Sequence, residues 1–175
     1  MQNYFTLLGL EQRFALDEAA LQRAYITAQQ ETHPDRLVGK PDAERAKAIQ
    51  KSMDVNEAYE ALKNPLKRAE HLLALQDIRV NSDGNDNVKA SQALLMETME
   101  LREQLAEASD ARSLQLLVEE IKQSAKTCKA ELEQLLDAQD YDAAAQATIR
   151  LRYLGKSMEE AQMHLYQHQA QASAS

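Results

Sequence analysis

LQRAYITAQQETHPDRLVGKPDAERAKAIQKSMDVNEAYEAL, residues 21–62, holds two helical patterns separated by a break, and the break contains His33-Pro34-Asp35. Apolar residues recur at helical spacing from Leu16 to Ala28 and again from Ala46, so the tripeptide falls in the connection. Pro34 fixes its own φ and biases His33 away from the helical region, which ends the first helix near this point. The expected product is an antiparallel helical hairpin whose firm loop displays an imidazole and a carboxylate.

Working outward, Asp17 is a good cap for a helix from Glu18 to about Glu31, with Leu21, Ala24, Tyr25 and Ala28 on its inner side. After Gly39-Lys40-Pro41 a long helix begins near Asp42. Its expected inward stripe is Ala46, Ile49, Met53, Tyr59 and Leu62, with Asn56 as a polar member that needs a partner if buried. Asn3 caps a short helix carrying Tyr4, Phe5, Leu7 and Leu8, which Gly9 stops. Asn64-Pro65 supplies cap and first residue of a further short helix with Leu66, Ala69, Leu72 and Leu73. Residues 77–87 then turn rich in Asn, Asp, Ser and Gly, the chemistry of a linker, dividing a first domain at 1–76 from a second at 88–170. Residues 171–175 are expected to form a disordered tail.

Ala, Leu, Gln, Glu and Lys abound while Gly, Pro and aromatic residues are scarce, so the fold class is all-α. No apolar run approaches the roughly 20 residues needed to cross a bilayer, and helical periodicity begins almost at Met1. The expected setting is the cytoplasm, with no membrane partner. Residues 1–75 carry ten basic and eleven acidic side chains, and residues 76–175 carry ten and seventeen, so most of the net charge of −8 lies in the second part. An acidic surface repels phosphate backbones, which argues against nucleic acid and for a protein partner with a basic patch.

The second part reads as three helices, roughly Ser91–Ala108, Asp110–Leu136 and Asp140–His168, joined by connections short enough to force an elongated antiparallel three-helix bundle. Leu114, Val118, Ile121, Ala125, Cys128, Leu132 and Leu135 form one seam, and Ala144, Ala147, Leu151, Leu154, Met158, Ala161 and Leu165 another. On the helix from Ser91, a rotation of about 100° per residue puts Leu94, Thr98, Leu101 and Leu105 on the core side. It places Leu95, Met96, Met99, Glu100, Glu103 and Glu107 on the side facing away, and Tyr153 lies opposite its own seam. Large apolar residues rimmed by carboxylates have the composition of a docking surface, or of a face covered by the first domain.

The order of short helix, helix with Tyr25, His33-Pro34-Asp35 and a helix ending Asn56-Glu57-Ala58-Tyr59-Glu60-Ala61-Leu62 resembles a DnaJ-type J domain. Residues 64–73, NPLKRAEHLL, with residues 94–103, LLMETMELRE, and Leu151-Arg152-Tyr153-Leu154, extend the resemblance to the HscB family of J-domain co-chaperones in iron–sulfur cluster assembly. The resemblance implies two partners: a specialised DnaK-type chaperone, HscA, whose ATPase the J domain stimulates, and the scaffold protein IscU, held by the C-terminal bundle. It makes His33, Pro34 and Asp35, with Arg23 and Arg36, the chaperone-binding set. Leu95, Met96, Met99, Glu100, Glu103, Glu107 and Tyr153 become the scaffold-binding set. The sequence departs from many J domains in having Arg23 as the only basic residue of helix two, Thr32 at a usual aromatic position and Arg36 in place of a common Lys. A restricted chaperone partner follows. The alternative is an adaptor serving a different DnaK-type chaperone and a client other than the scaffold.

His33 and Asp35 lack a nucleophile or phosphate loop at recognisable spacing, so the chain does not read as an enzyme. His164 and His168 make only two ligands on one helix, a poor metal site. Cys128, the single cysteine, lies on a core seam and reads as a small buried residue. No cofactor is expected.

Overall fold

The computed structural model describes residues 1–80 and 86–173. Among these residues every regular element is helical: α1 (Tyr4–Leu7), α2 (Glu18–Glu31), a 3-10 turn (Pro34–Leu37), α3 (Asp42–Lys63), α4 (Pro65–Ala74), α5 (Gln92–Glu107), α6 (Ala111–Asp137) and α7 (Tyr141–Ser173). The chain divides into two compact units, Met1–Asp77 and a second from Ile78 onward.

In the first unit the helix boundaries follow local chemistry. Asn3, Asp17 and Asn64 each accept backbone N–H bonds at a helix start, and Gly9 turns the chain after α1 at φ +65°. The core gathers Phe5, Leu8, Phe14, Leu21, Val55, Ala58, Leu62, Ala69 and Leu73, all buried. The stripe expected on the first half of α3 is wrong. Ala46 is exposed, and Ile49 and Met53 are 59% and 60% exposed, while Ala48, Ser52, Val55 and Ala58 turn inward. The fully buried side of α3 is carried by Val55, Ala58 and Leu62 in its second half. Ile49 and Met53 instead line an open cleft with Thr32 and Val38. Asn56 is exposed, yet it is partnered: its Oδ1 accepts from the Tyr25 hydroxyl (2.9 Å) and from Gln29 Nε2.

Two buried polar residues in α4 escaped the periodicity reading. Arg68 donates to the Leu62 carbonyl and the Phe14 carbonyl, both at 2.7 Å, and its guanidinium lies over the Phe14 ring. It thereby ties the end of α3 to the segment before α2. His71 Nε2 accepts from the Tyr4 backbone N–H (3.1 Å), and its ring stacks on Tyr4 at 4.1 Å. Accepting at Nε2 requires the neutral imidazole, and burial lowers the pKa of His71 accordingly.

The second unit is built on α7. It packs antiparallel to α6 along Leu114, Leu117, Ile121, Cys128 and Leu132, and alongside α5 in the same direction. At about 1.5 Å per residue, α6 is a rod of roughly 40 Å. Cys128 is fully buried, its thiol donating to the Ala147 carbonyl (3.2 Å), and burial raises its pKa. Leu117 is buried, whereas the expected seam members Val118, Ala125 and Leu135 are half-buried. α7 is buried well beyond its expected seam, at Ala145, Thr148, Ile149, Arg152 and Ser157 as well. The α6–α7 turn closes with Gln139 N–H to Leu136 O and Asp140 N–H to Leu135 O, and Gln139 carries φ +59°. Arg150 clamps the three helices, donating from Nε to both oxygens of Glu97 on α5 (2.9 and 3.2 Å) and lying 3.6 Å from Glu131 on α6.

Two boundaries differ from expectation. Val80, inside the expected linker, is 1% exposed, and Arg79 and Asn87 exchange two hydrogen bonds. Residues 81–85 of that linker lie outside the described residues. α7 runs past His168 to Ser173, so the helical pattern continues where Ala and Gln, good helix formers, replace the apolar seam. Residues 174–175 of the expected tail lie outside the described residues.

Candidate functional sites

The first site is set by how α2 ends. His33, extended at φ −61° and ψ 136° as a residue before proline should be, caps the 3-10 turn by accepting the Asp35 N–H at Nδ1 (3.2 Å). Asp35 Oδ2 lies 3.4 Å from the same nitrogen, and the Asp35 side chain is 89% exposed. The turn thus holds a carboxylate out to solvent on a backbone fixed by its own neighbours. Behind it, Thr32 is buried with its hydroxyl on the carbonyls of Ala28 and Gln29, satisfying the end of α2. The hairpin is held in register by Lys51 Nζ to Glu31 Oε2 (2.8 Å) and by Tyr25 stacked on Tyr59 at 4.2 Å.

Arg36 stands exposed on the turn itself. Arg23 does not join it. It lies in the first half of α2, 3.8 Å from Asp17, about 12 Å along the axis from Glu31, the last residue of the helix. The sequence set therefore resolves into a compact group, His33 to Arg36, and one remote cation.

The second site lies on α5 and α7. Leu95, Met96 and Met99 are 46%, 55% and 70% exposed, and Glu100, Glu103 and Glu107 are exposed beside them. Leu95, Met99 and Tyr153 come together around one cavity of about 320 Å³ between the two helices. Met96 and the three carboxylates sit farther round α5 and do not line it. What sequence reasoning missed here is Arg102, Lys156, Ser157 and Glu160, which share the cavity wall. The usable signal was register: Arg102 follows Leu95 by seven residues, and Lys156, Ser157 and Glu160 follow Tyr153 by three, four and seven. The Glu97–Arg150 clamp flanks the other side of the α5–α7 contact and fixes the helices that shape the cavity.

Among the described residues no helix is long and apolar enough to cross a membrane.

Comparison with known proteins matches each unit separately. Residues 3–71 match the DnaJ domain, and residues 90–162 match the HSCB C-terminal oligomerisation domain. The chain is 41% identical to the co-chaperone protein HscB homolog of Cupriavidus taiwanensis, over 88% of each chain. It is 37% identical to the co-chaperone protein HscB of Proteus mirabilis, over 90% of this chain and 92% of that one. Among solved structures, chaperone HscB from Vibrio cholerae superposes with a TM-score of 0.79 at 32% identity, covering 95% of this chain and 99% of that one. The human co-chaperone protein HscB gives 0.81 at 26% identity, covering 94% and 82%. A DnaJ-type unit that displays a His-Pro-Asp turn is joined in this chain to a unit of the HscB C-terminal type, the likeness to HscB proteins spans nearly the whole chain, and the protein belongs to the HscB family of J-domain co-chaperones.

Proposed function

We propose that this chain delivers an IscU-type iron–sulfur scaffold protein to an HscA-type DnaK chaperone and stimulates that chaperone's ATPase, aiding cluster transfer in the cytoplasm. The observation that carries this reading is the presence of two chemically unlike exposed surfaces on two separate units of one chain. One is a capped turn that presents the Asp35 carboxylate. The other is an apolar face with charged flanks.

On the first unit, residues 1–76, Asp35 is the group that an arginine of the chaperone would meet, because a carboxylate held by its own backbone makes a charge-assisted bond at little ordering cost. His33 and Pro34 set its direction, and Arg36 adds a cation on the same turn. Arg23 contributes through longer-range attraction alone. On the second unit, Leu95, Met96, Met99 and Tyr153 supply apolar area to a scaffold, and Glu100, Glu103 and Glu107 select basic groups on it. The protein's own work is binding: the bond broken is the chaperone's nucleotide phosphoanhydride, and the cluster is cargo.

The test is the steady-state ATPase rate of a purified HscA-type chaperone with an IscU-type scaffold, with and without this chain. The proposal expects stimulation by the chain that grows when scaffold is present. An unchanged rate rejects it.

A further inference from the structure

The cavity between α5 and α7 carries a charge pattern opposite to that of the carboxylate edge. Arg102 on α5 and Lys156 on α7 line it together with Leu95, Met99 and Tyr153. Both cations are exposed, and neither is ion-paired among the described residues, whereas Arg150 on the other side of the helix contact holds two carboxylates. Glu160 is the one carboxylate on the cavity wall, which leaves that wall net cationic on a chain of net charge −8.

Register orders these groups. Residues seven apart on a helix differ by only about 20° in direction, so Leu95 shares an edge with Arg102, Met96 with Glu103, and Glu100 with Glu107. Passing outward from α7, α5 presents first Arg102 with Leu95, then Met99, and last Met96 among the three carboxylates. Ser157, small and buried in the wall, leaves the cavity open.

We propose that this cavity receives an apolar side chain of the scaffold protein flanked by a carboxylate that pairs with Arg102 and Lys156, while basic groups of the same partner meet the outer carboxylate edge. The inference rests on the reading that this face grips the scaffold. It adds polarity to that grip: a partner turned end for end would set its acid against Glu103 and its bases against Lys156, so the charge gradient fixes orientation as well as affinity.

Titration calorimetry of the full chain against an IscU-type scaffold, at low and moderate salt, tests this with three variants. Arg102→Glu with Lys156→Glu is expected to weaken binding roughly tenfold at low salt, with the difference shrinking as salt rises. Lys126→Glu with Lys129→Glu, an equal charge change on exposed residues of α6, is expected to leave affinity within about twofold of the parent. Met96→Ala with Met99→Ala reports on the underlying reading. Loss of binding in the methionine variant with parental affinity in the Arg102/Lys156 variant overturns the cationic contact and keeps the scaffold face. Equal weakening by the two charge variants also overturns it, because the effect is then one of net charge. Parental affinity in the methionine variant removes the scaffold face and the inference together.

Discussion

The two surfaces are constructed in opposite ways. The His33–Arg36 turn is made by consecutive residues, capped by its own imidazole and braced by one hairpin. The face around Leu95, Met99 and Tyr153 is assembled from two helices whose contributing residues lie more than fifty positions apart in sequence. A local device should fail by loss of one group, and an assembled one by erosion of area or by disturbance of the helices beneath it.

The largest expected effect is at the turn. Asp35→Asn keeps the shape and removes the charge, and stimulation of the chaperone's ATPase should fall roughly 100-fold, in the range of a charged contact left unpaired. Steady-state phosphate release checks this, with unchanged circular dichroism showing that the fold is kept. On the assembled face, Met96→Ala with Met99→Ala should weaken scaffold binding about 30-fold, since two exposed side chains contribute roughly 1 kcal/mol each when covered. Calorimetry checks that value, and the ATPase stimulation seen without scaffold should stay at the parental level.

Smaller effects act on the supports. His71→Leu leaves the Tyr4 N–H without its acceptor and should lower the stability of the first unit by about 1–3 kcal/mol at neutral pH. Burial lowers the pKa of His71 in the folded chain, so the unfolded chain takes up the proton more readily. Stability from this residue is therefore fully present above the ordinary imidazole range near about 6.5 and is lost as pH falls below it. Urea unfolding at two pH values should show a loss in the parent that the Leu variant lacks. The smallest change is Gln139→Gly. The left-handed φ of +59° strains a residue with a Cβ, so glycine should raise the stability of the second unit by about 0.5–1 kcal/mol without altering either binding activity.

The same contrast explains what was legible in the sequence. Helix starts at Asn3, Asp17 and Asn64 are local and were readable from one residue each. So was the exposed side of α5, because a helical wheel needs only that helix. The inner side of α3 was not. Its choice of Ala48, Ser52 and Val55 over Ile49 and Met53 depends on where the rest of the unit packs against it, which no single-helix pattern encodes. Arg68 and His71 were hidden for a related reason: a charged or titratable residue reads as exposed until the distant carbonyls of Phe14 and Leu62, or the Tyr4 N–H, are known. The cationic wall of the scaffold cavity likewise needed α7 set beside α5.

The central proposal is that one chain carries two separable activities, and a competition assay tests it most directly. Chaperone ATPase is measured with limiting scaffold and parental chain while Asp35→Asn chain is added in excess. The proposal predicts that the excess variant takes up scaffold and abolishes the scaffold-dependent part of the stimulation, and that adding Met96→Ala and Met99→Ala to the same variant restores it. Stimulation that survives excess Asp35→Asn chain, or inhibition that persists in the triple variant, contradicts it.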